Sequence, residues 1–296
     1  MDSASLLTPE RVLRHLQWHV LRRLEGRLQG DYRTVLRGNG TDFLGLRLYE
    51  WGDDVRHIDW NVTARMNELY VREFVEDRDL TAWLLLDRSR SMAFGAPERT
   101  KELVLAELAG VFGQLLVRGG NRIGAIVYDG DRTVTIPPSQ GRHQVLHLLE
   151  RLLQPVAGGQ VTDLSLLLET AARVVRRRSL IVLISDFISE PGWERALVRL
   201  TQRHEVVAVQ MVDPREYELP DAGLLFAEDA ETGEQLLVDS SDPQLRRRLL
   251  AVAAERDEAI RHAAAAARVD LHVVSTADDL LAAFARIVAR RRRPAR

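Results

Sequence analysis

From about Leu80 onward the chain alternates two patterns, and that alternation constrains its fold more than anything else in it. Short apolar runs recur: TAWLLLD (81–87), RIGAIVYD (122–129), LIVLISD (180–186), EVVAVQMVD (205–213) and VDLHVVS (269–275). A strand that is apolar at successive positions has no polar face to offer water, so both of its faces must be covered. The segments between the runs carry apolar residues at helical spacing. One over 97–117 places Leu105, Leu108, Phe112, Leu115 and Leu116 on one face and stops at Gly119–Gly120. Further helices are expected over 142–153, from Asp163 (with Leu164, Leu167, Leu168 and Ala171), over 193–202, after Pro243 and from Ala277. Asp129–Gly130–Asp131 reads as a turn into a hairpin strand, RTVTI.

Buried strands separated by amphipathic helices imply an α/β fold, a doubly wound, mostly parallel, Rossmann-type sheet over residues 80–296. An insertion near 214–239 is expected to form a hairpin from LLFAED and QLLVD. Residues 1–79 read differently. Thr8 and Pro9 look like a helix start, followed by Leu13, Leu16, Val20 and Leu24 at helical spacing. Frequent glycines and pieces such as LYVREFVE then point to a small β and loop appendage.

With 46% hydrophobic residues in 296, the chain has ample material for a core. A net charge of -2 predicts no bulk attraction to nucleic acid. The lack of cysteine excludes disulfides, Cys-based zinc sites and a cysteine nucleophile. The N-terminus lacks a signal-peptide pattern, and no apolar run reaches the ~20 residues of a membrane helix, so a cytoplasmic protein without membrane insertion is expected. Lys101 is the only lysine; every other basic side chain is arginine, which reads as a compositional bias.

Ligands of open α/β sheets bind beyond the carboxyl ends of the strands. Asp87, Ser89 and Ser91 follow the first long strand, Thr162 and Asp163 precede a helix, and Ser185 and Asp186 end another strand. All should share one edge. Hydroxyls and carboxylates are hard oxygen donors, suited to Mg²⁺ or Mn²⁺. Mostly neutral direct ligands would leave such an ion electrophilic and ready for a carboxylate brought by a partner.

The three-part pattern resembles the metal-ion-dependent adhesion site of von Willebrand factor A domains. By position, Asp87, Ser89 and Ser91 match its first loop, Thr162 in GGQVTDL its second and Asp186 in LISDF its third, with Asp163 an alternative in the second. The resemblance implies that the hydroxyls bind Mg²⁺ or Mn²⁺ more directly and that the aspartates act through water or hydrogen bonds. A second stretch, GNGTDFLGLRLYEWGDDVRHIDWNVTARMNELYVREF, is similar to the signature of the bacterial domain-of-unknown-function 58 family. Its core falls on Gly52, Asp53, Asp54, Arg56, Ile58, Asp59, Trp60, Ala64 and Arg65. That resemblance implies a partnership with a MoxR-type AAA+ ATPase in protein assembly or maturation.

Two functional expectations follow. The first is a metal-dependent protein-interaction module, not an enzyme, which binds a partner's Asp or Glu through the ion. The alternative is a metal-assisted phosphoester hydrolase using the same residues or the Gly52–Asp59 acidic cluster. No P-loop is present, Ser89 stands where a D-x-D nucleophile motif would need an acid, and no general base accompanies Ser89 or Ser91. The acidic cluster also reads as ion-paired structure, with Trp60 in a core. The pairs His15/His19 and His143/His147 lack a third ligand and read as surface or packed histidines. Arg290–Arg293 reads as a helix end favoured by the dipole.

Overall fold

The computed structural model describes residues 42–50, 55, 58–75, 81–156, 162–218, 223–228 and 235–290. The expected N-terminal helix lies outside these residues, as do Gly52, Asp53, Asp54, Arg56 and residues 291–296. The chain divides into a unit spanning Leu36–Leu80 and a larger one that includes Thr81–Arg296.

In the smaller unit β1 (Asp42–Leu48) pairs antiparallel with β2 (Tyr70–Val75), and α1 (Trp60–Met66) lies between them in sequence. Asp59 caps α1: its Oδ1 accepts the backbone N–H groups of Asn61 at 3.0 Å and Val62 at 3.2 Å. Ile58 bridges to Val71, and both are buried. Trp60 does not pack in a core as expected. It is 66% exposed, because α1 buries none of its residues.

The larger unit is built on a six-stranded sheet. Its strands are β3 (Thr81–Asp87), β6 (Arg122–Tyr128), β7 (Thr133–Ser139), β8 (Leu180–Ser185), β9 (Glu205–Val212) and β12 (Asp270–Ser275). The strand order is β12–β9–β8–β3–β6–β7, and only β7, the hairpin partner of β6, runs antiparallel. From β3 the chain passes outward to β6 and β7, then returns to β8 on the other side of β3. The connection reverses direction between β3 and β8, the kind of switch point at whose carboxyl ends open α/β sheets bind ligands.

Alternate strand residues feed two cores. On one face Leu85, Ile126 and Leu183 pack with α4 (Leu164–Val174), α5 (Trp193–Thr201) and Ile260 and Ala264 of α6 (Pro243–Ala266). The other face is covered by α2 (Lys101–Arg118), α3 (Arg142–Leu152) and α7 (Leu280–Arg290), where Phe112 meets Phe284 edge-on at 4.9 Å. The fold is therefore the expected doubly wound α/β architecture. The insertion hairpin pairs β10 (Leu224–Glu228) with β11 (Gln235–Asp239).

Two helix starts differ from expectation. The first helix begins at Lys101 instead of Pro97, because Gly95–Ala96 (β4) pairs with Arg99–Thr100 (β5) and Pro97 sits in the turn between them. Thr100 then caps α2 by accepting Leu103 N–H. The last helix starts at Leu280, after Asp279, whose Oδ1 accepts Leu281 and Ala282 N–H. Among the described residues no helix is long and apolar enough to cross a membrane.

Gly124 stands opposite Trp83 across the β3–β6 ladder. A Cβ there would lie 2.9 Å from Trp83 Cε3 and 3.1 Å from the Ile136 carbonyl oxygen. Trp83 is buried, so its indole must shift within the packed face for that Cβ to fit. Gly124→Ala is expected to destabilise the protein by about 1–3 kcal/mol, as overpacking does. Urea unfolding measures this, and an unchanged midpoint would show that the indole relaxes.

Candidate functional site

β3 and β8 place their terminal polar residues side by side at this switch point. Asp87 is the last residue of β3, and Ser185 ends β8 with Asp186 directly after it. Asp87 Oδ2 accepts the Ser185 hydroxyl at 2.6 Å, and its Oδ1 accepts Ser89 N–H at 2.9 Å. Ser185 Oγ in turn accepts Phe187 N–H at 2.8 Å, which fixes the turn after β8, where Phe187 takes a positive φ of 60°. Ser89 Oγ and Ser91 Oγ lie 3.1 Å apart and share a hydrogen bond.

Thr162 arrives from the loop before α4. Its carbonyl accepts Glu190 N–H at 2.9 Å and the Ser189 hydroxyl at 3.1 Å, which ties that loop to the one after β8. Asp163 N–H donates to Tyr128 Oη at 3.0 Å, which ties the same loop to the end of β6. Asp163 itself is exposed and caps α4 through Ser165 N–H, whereas Thr162 is fully buried. Of the two second-loop residues, Thr162 therefore faces inward and Asp163 serves the helix. Asp87, Ser89, Ser91, Thr162 and Asp186 all lie at the carboxyl edge, and none exceeds 3% exposure.

The feature that sequence reasoning missed is Lys101. It opens α2, is fully buried, and donates from Nζ to Asp186 Oδ2 at 2.6 Å and Glu216 Oε1 at 2.5 Å. Burial acts to lower its pKa, but the Asp186 and Glu216 carboxylates outweigh it and hold the ammonium above its ordinary value. Lys101 is thus a buried charge inside the site. Its uniqueness among 41 basic residues was the available signal.

Arg88, between Asp87 and Ser89, turns the other way. It pairs with Glu102 and donates to the carbonyls of Arg151 at 3.2 Å and Gln154 at 2.5 Å, so it anchors the loop from behind.

The electrostatics are those of two carboxylates buried together. Burial, with Asp186 beside it, pushes Asp87 up to about 6, against the lowering effect of its hydrogen bonds from Ser185 and Ser89. Among the described residues no group of three or more His, Asp or Glu is arranged to hold a metal, so an ion at this edge would rest mainly on hydroxyls. The donor set suits one. Adjacent ligands of an octahedral Mg²⁺ at about 2.0–2.1 Å lie roughly 2.9 Å apart, close to the observed hydroxyl separation of 3.1 Å.

The other candidates contribute little to this edge. His143 and His147 are both exposed on α3. Asp59, the described aspartate of the acidic cluster, is engaged as a helix cap.

A doubly wound α/β protein with a buried hydroxyl–carboxylate cluster at its switch point is the class that this fold and site define. The family model described as "Protein of unknown function DUF58" matches residues 45–259, and the chain belongs to that family. Relatives from Mycobacterium tuberculosis and Mycobacterium bovis, each described as an uncharacterized protein, are 37% identical over 286 residues, covering 96% of this chain and 90% of theirs. Among solved structures, an aerotolerance-related membrane protein from Bacteroides fragilis is similar with a TM-score of 0.45 and 19% identity, over 72% of this chain and 98% of that one. BatB from Bacteroides thetaiotaomicron has a TM-score of 0.40 and 13% identity over the same shares. Likeness at that level says nothing of function.

The raised Asp87 pKa has a definite sign in stability. The folded state holds this proton more tightly than the unfolded chain, so Asp87 favours folding below its ordinary value of 3.8 and loses that contribution as pH rises through about 6. In chelator, Asp87→Asn should therefore gain stability relative to wild type between pH 4 and 7, by an amount on the order of 2 kcal/mol. Urea unfolding across that range tests it; a difference that does not change with pH would mean that Asp87 is not strained by its burial.

Proposed function

We propose that this protein is a metal-ion-dependent protein-interaction module. In this reading Mg²⁺ or Mn²⁺ sits at the Ser89 and Ser91 hydroxyls. Thr162 completes the oxygen set, and Asp87 and Asp186 supply charge through hydrogen bonds or water. The observation that carries it is the hydroxyl pair 3.1 Å apart beside two buried carboxylates at a topological switch point. The bound ion supplies Lewis acidity, which a partner's Asp or Glu carboxylate would satisfy.

The chain's own groups do the rest. Ser185 and the Ser89 backbone N–H orient Asp87, so its charge is held in place without a direct bond to an ion. Ile188 N–H, at 3.0 Å, does the same for Asp186. Because all five site residues are buried, the loops over them must part before a carboxylate from outside can enter. Partner association should accordingly be slower than diffusion-limited docking. The resemblances of the sequence add the kind of partner, a MoxR-type AAA+ ATPase, and a role in protein assembly or maturation. The module would work as an adaptor in the cytoplasm, with no catalytic residue of its own. Turnover of a phosphate ester that depends on metal and on Asp87 would instead favour the hydrolase reading.

Thermal unfolding against Mg²⁺ and Mn²⁺ tests the proposal, with wild type beside Ser89→Ala. An ion at 100 times its dissociation constant should stabilise the fold by about 2.7 kcal/mol. That corresponds to a midpoint shift of roughly 5–11 °C for a domain of this size. The shift should vanish in Ser89→Ala. A shift of equal size in both proteins, or none at millimolar metal, would remove the ion from Ser89 and with it the proposed mode of binding.

A further inference from the structure

Lys101 is at odds with every local rule that applies to it. It occupies the first position of α2, where the helix dipole disfavours a cation. Its ammonium is fully buried, which a lysine tolerates only when it is paired. It is also the one lysine in a chain that uses arginine everywhere else. Local rules broken together mark a site where something other than folding is being served.

The geometry explains why arginine does not serve here. Nζ reaches Asp186 Oδ2 at 2.6 Å and Glu216 Oε1 at 2.5 Å from one point. An ammonium is a compact charge with three donors around a single atom, whereas a guanidinium spreads its donors over a rigid planar fork. The two carboxylates come from different elements. Asp186 follows β8, and Glu216 lies in the short helical turn Pro214–Glu216 after β9. Glu216 Oε2 also lies 3.6 Å from Arg256 of α6. A chain of alternating charge, Asp186–Lys101–Glu216–Arg256, thus runs from the candidate metal site to the helix packed beside β12.

We propose that Lys101 is the resident counter-ion of this site: it neutralises Asp186 while no divalent ion is bound, competes with that ion for the carboxylate, and so sets the affinity. Glu216 is the second holder of the ammonium. It shares Lys101 with Asp186, and the more of the ammonium Glu216 holds, the more of Asp186 is available to a metal. Loading of the site is thereby linked to the turn after β9 and, through Arg256, to α6. The inference rests on the metal-binding reading of the Ser89 and Ser91 hydroxyls.

The experiment is Mn²⁺ titration of the full chain, read by the electron paramagnetic resonance of free Mn²⁺, for wild type, Ser89→Ala, Lys101→Met and Glu216→Gln. Unfolding in chelator is measured in parallel. Lys101→Met removes a positive charge beside a dication and should tighten Mn²⁺ at least about tenfold. It should also lower stability in chelator, and Mn²⁺ should restore it, because Asp186 is left without a counter-charge. Glu216→Gln leaves Lys101 to Asp186 alone and should weaken Mn²⁺ by about threefold to tenfold. A merely structural lysine would move both variants in the same direction.

Ser89-dependent binding that Lys101→Met leaves unchanged or weakens would overturn the counter-ion role and leave the metal reading standing. If Lys101→Met does not fold, Lys101→Gln, which keeps a donor between the two carboxylates without the charge, takes its place: tighter binding supports the role, and unchanged or weaker binding overturns it. Absence of Ser89-dependent binding in wild type overturns both readings.

Discussion

Parallel pairing on both sides of β3 is the constraint from which the rest of the molecule follows. β3 is hydrogen-bonded to β6 on one edge and β8 on the other, and Ala82 through Asp87 are all buried. A strand in that position needs helices above and below it, and parallel neighbours need long crossovers, which those helices supply. Because the chain leaves β3 toward β6 and leaves β8 toward β9, in opposite directions across the sheet, the loops after β3 and β8 diverge at their carboxyl ends. The polar residues there are buried beneath those loops.

That edge carries a problem of buried charge. Asp87 and Asp186 are both within a few per cent of complete burial, where like charges in a poorly polarisable medium repel strongly. The structure answers it in three ways. Hydroxyl and backbone donors hold each carboxylate, the Asp87 proton is retained to about pH 6, and Lys101 supplies a cation. A divalent ion would answer the same problem, and in the proposed scheme it takes the place of the ammonium at Asp186.

Much of this could be read from the sequence, for a physical reason. The strand β3 has the expected limits, 81–87, because a run apolar at successive positions has a single stable environment, a doubly covered sheet. The helix from Asp163 was equally clear, since its cap and its Leu164–Leu167–Leu168–Ala171 stripe are local features. The start of α2 was not. Pro97 is a good first helical residue, but a two-strand pairing between Gly95–Ala96 and Arg99–Thr100 intervenes, and such a pairing leaves almost no trace in so few residues. Trp60 was misplaced for the opposite reason: large aromatic rings are usually buried, and only the surroundings of α1 decide that this one is not.

At the site, the amino-acid order by itself determined which oxygen donors end which strands: Asp87, Ser89 and Ser91 after β3, Asp186 after β8 and Thr162 before α4. It also determined that they share an edge, because parallel strands put all their carboxyl ends on one side. Only the tertiary structure decided that Ser185 holds Asp87, that Thr162 and not Asp163 turns inward, and that Lys101 bridges Asp186 and Glu216. Those pairs are 98, 85 and 115 residues apart for Ser185–Asp87, Lys101–Asp186 and Lys101–Glu216. Periodicity and caps report on a residue's near neighbours. A counter-ion from so far along the chain is chosen by the packing of whole elements, so no local pattern can encode it.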